Sequence, residues 1–364
     1  LAQNLWQAAG KDEKKMIKVA VVGCGYWGPN LIRNFCSIPQ CAMSMACDTK
    51  PERLEYIQRL YPSLEVTSDF EHILNNDEIG AVAIATPVAS HFPMAQACFK
   101  RGKHVLIEKP ITASVEECKE LIRQANEHNR TLMVDHTFEY TAAVNKAKEI
   151  IQRGELGQIY YIDCVRVNLG LFQNDINVVW DLAPHDVSIV LYLLDQQPES
   201  VSGQGKAHLK PDIEDVATIA INFPDNLGVY IHSSWLHPNK IRKITIVGSR
   251  KMLVYDDVDP LEKIKIYDKG VEVPKHYETF GDFHFSYRYG DIYSPRLEET
   301  EPLKKVCQHF IECIENSMEP RTNGTSGLRV VSVLEAANKS LKNGGTPIAI
   351  DLARITPKEL SIKH

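Results

Sequence analysis

The chain has no apolar run approaching the ~18 residues that suggest a membrane span, so nothing in its hydropathy calls for a membrane. It has no basic excess either. Lys and Arg number 41 against 47 Asp and Glu, a formal net charge of -6. A phosphate-backbone binder normally carries a basic face, and no arginine-rich arm, zinc-knuckle spacing or aromatic-basic interleaving is present, so no nucleic acid is expected as a partner. The nine cysteines, at positions 24, 36, 41, 47, 98, 118, 164, 307 and 313, are odd in number and form no CxxC pair. They read as reduced core residues of a cytoplasmic protein, not as a disulfide framework. His136, His185, His208, His232 and His237 are scattered without ligand spacing, so no metal site is expected. Residues 1–15 lack the apolar core of a secretory signal and end in Lys11-Asp12-Glu13-Lys14-Lys15. They read as an unstructured leader or tag ahead of Met16.

What is present is an ordinary globular composition, 44% hydrophobic and 24% charged, over 364 residues. That length favours two domains. The first is organised by Val19-Ala20-Val21-Val22 running into Gly23-Cys24-Gly25-Tyr26-Trp27-Gly28 and then Pro29-Asn30-Leu31-Ile32-Arg33. An apolar run, a glycine turn and helix-forming residues spell strand, tight turn, helix. In such a turn Gly23 permits the bend, Gly25 lets the backbone approach a pyrophosphate, and Gly28 lets helix pack on strand. Tyr26 and Trp27 belong to the same loop, and Pro29 suits a first helical turn. Ala42 to Cys47 reads as the next strand and ends in Asp48, twenty positions beyond Gly28. A carboxylate there would bind the adenosine ribose and repel a 2′-phosphate, which favours NAD over NADP. Lys50 and Arg53 pull the other way, and a surface Asp ending a strand is the plainer alternative.

Strand and helix keep alternating to Val134, with strands at 65–67, 81–85, 105–107 and 131–134 and helices at 52–60, 69–74 and 90–101. Ser114 with Glu117 makes a capping box for another helix, whose stripe is Val115, Cys118, Leu121, Ile122 and Ala125. The expected fold is an α/β Rossmann domain over residues 16–138, with a mostly parallel sheet and ligands at the strand C-terminal ends. Thr86, Pro87, Glu108 and Lys109 all sit at such ends. Residues 139–364 are expected to be an α+β domain for substrate binding and oligomerisation. Helices at 141–154, 180–194, 304–316 and 324–342 accompany a large open sheet, mainly antiparallel, from strands at 157–169, 199–209, 215–223, 227–235, 240–248 and 252–255. Residues 274–302 read as a long ordered loop, and 347–350 as a short strand.

A lone GxGxxG is weak evidence, but here it is followed by Asp48, by Thr86-Pro87 with His91, by Glu108-Lys109-Pro110, and by Asp181 four positions before His185. This combination resembles the glucose–fructose oxidoreductase / inositol dehydrogenase / MocA family of nicotinamide-dependent sugar dehydrogenases, from about Met16 to Ile350. The resemblance implies that Lys109 lies beside the nicotinamide and hydrogen-bonds the reacting hydroxyl. A positive group there stabilises the alkoxide that develops as hydride leaves. Pro110 fixes the backbone behind it and allows a cis bond. Asp181 and His185, at i and i+4, share a helix face. The histidine suits proton abstraction near neutral pH, and Asp181 would position substrate or imidazole. Trp180 stands where many relatives carry glycine, and either narrows the pocket or fills the core. Tyr140 and Arg166 are candidates for substrate contact or for plain packing. Arg288 and Tyr289 are candidates for meeting a nucleotide or phosphate portion of the substrate.

The wording Gly25 to Phe35 and Trp180 to Asp186 looks like the branch that oxidises UDP-N-acetylhexosamines such as UDP-N-acetylglucosamine at C3, ahead of amino-sugar biosynthesis for lipid A or surface polysaccharide. A free-sugar or inositol dehydrogenase, a keto-sugar reductase and a non-catalytic NAD or sugar sensor stay open. Relatives pair through exposed sheet faces, which implies a homodimer or homotetramer.

Overall fold

The computed structural model describes residues 16–272 and 286–351; the leader of residues 1–15 lies outside them. The first half alternates β1 (Ile17–Val22), α1 (Gly28–Cys36), β2 (Cys41–Cys47), α2 (Pro51–Leu60), β3 (Glu65–Thr67), α3 (Phe70–Leu74), β4 (Ile79–Ile84), α4 (His91–Lys100), β5 (His104–Glu108), α5 (Val115–Glu127) and β6 (Leu132–Asp135). All six strands are parallel, in the order β3-β2-β1-β4-β5-β6. The central strands are short apolar runs because helices cover both faces: Val19 and Val21 pack into one core, Ala20 and Val22 into the other. The order reverses between β1 and β4, so the Gly23 turn after β1 and Thr86-Pro87 after β4 flank the switch point, where α/β sheets open a ligand crevice. Half of the expected capping box forms: Ser114 accepts the Glu117 amide, while the Glu117 carboxylate accepts the Ala113 amide, and Cys118, Leu121, Ile122 and Ala125 are buried.

The second half begins with α6 (Ala142–Gln152), β7 (Ile159–Leu169) and α7 (Val178–Leu194). There follow β8 (Ser200–Lys206), β9 (Val216–Asn222), β10 (Gly228–Ser234), β11 (Leu236–Gly248), β12 (Met252–Asp256), β13 (Ile264–Glu272) and β14 (Ser286–Tyr293). Helices α8 (Pro302–Asn316) and α9 (Gly324–Lys342) and the short β15 (Ile348–Ala349) close the described chain. The nine-stranded sheet runs β14-β13-β12-β11-β7-β10-β9-β8-β15 and is antiparallel except where β10 lies parallel to β7. Period-two patterning sets its faces. Ile162, Cys164 and Arg166 of β7 point inward with Val229 and Ile231 of β10, toward α7 and α9, while Tyr161 and Tyr230 stay on the open face.

One expectation fails here. Residues 274–302 are not all loop, because β14 pairs antiparallel with β13; residues 274–285 of that stretch lie outside the described residues. Seven of the eight residues of this edge strand are exposed, so it carries no apolar alternation to read. The closing helices return to the first sheet: α8 packs on α1, α9 packs on α5, and the Val134 amide donates to Thr322 O at 2.7 Å. Among the described residues no helix is long and apolar enough to cross a membrane.

Candidate active site

The glycine turn has the geometry a dinucleotide requires. Gly23 adopts φ +93°, and a Cβ there would lie 2.5 Å from Ala85 O. A Cβ on Gly28 would lie 2.0 Å from Gly23 O, so the helix can approach the strand only without a side chain. Over Gly25 the neighbour is instead the flexible end of Arg53, whose NH1 would stand 3.6 Å away, a cation over the loop where a diphosphate would approach. Helix α1 starts at Gly28 with no side chain capping it, whereas Ser114, Thr141, Asn177 and Asn323 cap other helices. Its first-turn amides and positive dipole end are left for an anion. Tyr26 is largely exposed and Trp27 partly so.

Asp48 ends β2 in a buried position. Its Oδ2 accepts the Cys24 amide at 2.7 Å and Arg53 NH1 at 3.1 Å, and its Oδ1 accepts the Lys50 amide at 2.9 Å. Burial works to raise its pKa, but these donors hold the carboxyl below its ordinary value. It is therefore an anion, able to accept ribose hydroxyls. Arg53 already leans on this carboxylate, which limits its freedom to meet a 2′-phosphate.

Across the crevice, β5 ends in Glu108-Lys109-Pro110, and the Lys109-Pro110 peptide is cis. Lys109 Nζ donates to the Asp181 carbonyl at 3.0 Å and lies 4.0 Å from Asp181 Oδ1. Burial lowers the Lys109 pKa, opposed by the carboxylates of Asp181 and Glu108. Asp181 Oδ2 in turn accepts the indole N–H of Trp235 at 2.8 Å. Trp235 is fully buried, so it fixes the carboxylate against rotation.

His185, one turn further along α7, is half-buried, and neither of its ring nitrogens is hydrogen-bonded among the described residues. Its ring meets Phe138 edge-on at 5.0 Å, and the Arg166 guanidinium lies 4.8 Å from the same Phe138 ring. Burial, then the charges of Lys109 and Arg166, pushes His185 well below its ordinary pKa. It is a neutral imidazole near pH 7, the form that can take a proton. The cluster thus offers a fixed ammonium, an oriented carboxylate and a free imidazole, on two elements facing one another.

Several expected site residues do other things. Arg166 is buried and forms a two-pronged ion pair with Asp186, Nε to Oδ2 and NH2 to Oδ1, both 2.8 Å, so it supports the site from beneath instead of meeting a substrate. The Tyr140 hydroxyl is buried at 3.2 Å from Thr322 Oγ1, in packing and not in the cleft. Trp180 is a core tryptophan beside the cap of α7. Arg288 pairs with Asp268 at 2.9 Å and Tyr289 is exposed; both lie on β14, with three strands between them and β7. His91, expected near the cofactor, is 1% exposed, with Nε2 2.8 Å from Thr86 O and Nδ1 3.0 Å from Pro110 O. It ties the two strand-end turns together, which leaves neither nitrogen for a ligand. Thr86 and Pro87 stay at the crevice rim, with the Thr86 hydroxyl 3.8 Å from Met94 Sδ.

Comparison with known proteins gives the family. A family model described as an oxidoreductase family with an NAD-binding Rossmann fold matches residues 17–136, and the model of the same family's C-terminal domain matches residues 144–254. The chain belongs to the Gfo/Idh/MocA oxidoreductase family. It is 26% identical to the NAD-dependent scyllo-inositol 2-dehydrogenase of Bacillus subtilis, over 93% of this chain and 97% of that protein. It is 27% identical to the UDP-N-acetylglucosamine 3-dehydrogenase of Acidithiobacillus ferrooxidans over 70% of this chain and 78% of the other. The solved structure of the latter superposes with a TM-score of 0.76 at 22% identity, covering 90% of this chain and 98% of that one, a likeness of fold.

In this Gfo/Idh/MocA chain the cofactor fits the residues present. Gly23, Gly25 and Gly28 would supply the cradle, the α1 amides the phosphate donors, and Asp48 the ribose acceptor. When bound, NAD supplies the hydride acceptor. Three supporting residues were missed in the sequence: Phe138, Trp235 and Asp135. Asp135 ends β6 and Phe138 lies just beyond it, at a strand end that marks residues for a ligand crevice. Trp235 meets Asp181 across 54 positions, with no local signal.

Proposed function

We propose that this enzyme oxidises a secondary hydroxyl of a sugar, His185 taking the hydroxyl proton, Lys109 stabilising the developing alkoxide, and the hydride passing to NAD. The observation that carries this reading is the convergence of Lys109, Asp181 and an unbonded neutral His185 opposite the glycine cradle. A cation of low solvent exposure is strongest where negative charge develops. A base whose pKa lies below neutrality is deprotonated when the substrate arrives.

For the substrate we favour a UDP-N-acetylhexosamine oxidised at C3 to a 3-keto sugar. The residues of the glycine turn and of Trp180 to Asp186 support this, as does the relative from Acidithiobacillus ferrooxidans. The position of Arg288 and Tyr289 on the distal edge strand favours a second reading, a free sugar or inositol, and so does the Bacillus subtilis relative. The same site run backwards would reduce a keto sugar. Tyr161 and Tyr230, in contact on the open sheet face, support self-association into a homodimer or homotetramer. The test is purified protein with NAD and, separately, UDP-N-acetylglucosamine and scyllo-inositol, read by the absorbance of reduced nicotinamide. Turnover on the nucleotide sugar alone supports the first reading; turnover on neither, with cofactor bound, contradicts both.

A further inference from the structure

Two carboxyl groups stand side by side where β5 and β6 end. Glu108 and Asp135 are register partners on these parallel strands, 8% and 2% exposed. Glu108 Oε2 accepts the Lys109 amide at 3.2 Å, and Asp135 Oδ1 accepts the Thr137 hydroxyl at 2.5 Å. That leaves one oxygen on each, Glu108 Oε1 and Asp135 Oδ2, buried without a donor. Two ionised carboxylates cannot share such a place, because like charges repel in a dry site and neither has a hydrogen to give. A single proton between them satisfies both oxygens. Burial first, and then the charge of Asp135, raises Glu108 well above the ordinary carboxylate range; burial raises Asp135 as well.

The nearest charges to this pair are those of Lys109 and the groups around it. Lys109 follows β5 and is matched by Asp181 of α7, and Arg166 of β7 is matched by Asp186 of α7. His185 of α7 and His136 beside Asp135 are held neutral by burial, and so is the Cys307 thiol of α8. Cations and carboxylates cancel, and the singly protonated pair is left as one uncompensated negative charge. It sits at strand ends that open on the crevice for a cofactor whose oxidised ring is positive and whose reduced ring is neutral.

We infer that Glu108 and Asp135 hold one proton between them while the cofactor is oxidised and take up a second when it is reduced. The inference rests on the dehydrogenase reading above. In that reaction the substrate C–H bond breaks with its electron pair going to the nicotinamide. The O–H bond breaks with its proton going to His185, and the C=O bond forms. His185 then releases that proton, the pair takes one up, and the pair ends as two carboxylic acids. Negative charge in the site and positive charge on the ring disappear together, so no step leaves a lone buried charge.

The test uses the whole protein and no sugar. Infrared spectra of the apoprotein at neutral pH are expected to show the C=O stretch of a buried protonated carboxyl, lost in Glu108→Gln and in Asp135→Asn. Calorimetric titration in buffers of different ionisation enthalpy is expected to show about one more proton taken up with NADH than with NAD, a difference that both variants abolish. Wild-type protein without the carboxyl band, or with equal proton uptake for the two cofactor forms, overturns the inference, whether or not either variant folds. Because neither readout needs turnover, a failure of the sugar-oxidation reading is distinguishable from a failure of this one.

Discussion

Arg166→Met is the perturbation that best separates support from substrate contact. The guanidinium and Asp186 are 3% and 2% exposed at the side chain and are joined by two hydrogen bonds of 2.8 Å. Removing the arginine leaves a buried carboxylate unpaired, which costs about 3–5 kcal/mol. At about 2–4 °C per kcal/mol for a chain of a few hundred residues, the melting temperature should fall by about 6–20 °C. Replacing both partners, Arg166→Met with Asp186→Leu, removes the unpaired charge along with the bridge and should recover most of that loss. The assay is thermal unfolding of the two single variants and the double variant, with KM measured alongside. If Arg166 only braces Phe138 and α7, the double variant regains stability and keeps its KM within a few-fold. A double variant that is stable but has lost substrate affinity would refute the reasoning and put Arg166 in contact with substrate.

Other substitutions read other parts of the site. Trp235→Phe deletes the donor to Asp181 Oδ2; a hydrogen bond to a charged group contributes about 1.5–3 kcal/mol, so kcat should fall roughly 10- to 100-fold while NAD binding is kept, as measured by steady-state kinetics and cofactor titration. Asp48→Ser should relax the preference for NAD over NADP, and unchanged selectivity would mean that Asp48 is not the ribose acceptor. For pH, His185 must be neutral to act and its pKa is lowered, first by burial. The acid limb of kcat/KM should therefore lie below the ordinary histidine value of about 6.5. Stability should follow the same sign, since burial pushes His136 down to about 3 and His104 to about 4. Below pH ~6.5 the unfolded chain binds protons at these histidines that the folded chain refuses, so their contribution to unfolding free energy from denaturant titration should decline as pH falls, opposed by the raised carboxyls of Glu108 and Glu139, which bind protons in the folded chain.

The first domain was legible because its signals are local. A glycine turn, a capping box and short apolar strands each act within about ten residues, and Gly23, Gly28 and Ser114 perform the tasks their spacing implies. The second domain was legible as a set of strands. Its edge strand β14 was not, since a strand exposed on both faces has no alternation. Lys109, Asp181 and His185 were found by motif and by i, i+4 spacing. What surrounds them was hidden for a physical reason: Trp235 with Asp181, Phe138 between Arg166 and His185, and Glu108 beside Asp135 are contacts that only the packing of two sheets and α7 creates. His91 shows the opposite error. Its place after Thr86-Pro87 resembled a ligand position, but a histidine buried between two carbonyls is spent on the backbone.

The account turns on Lys109 as the group that stabilises the alkoxide, and the most direct measurement is turnover against NAD binding in Lys109→Ala. Loss of a preorganised charge at the reacting oxygen costs at least about 100-fold in kcat, while the glycine cradle and Asp48 are untouched. Turnover reduced to that degree or abolished, with the NAD dissociation constant nearly unchanged by fluorescence titration, is the predicted result. An active variant with normal kcat would contradict the account at its centre.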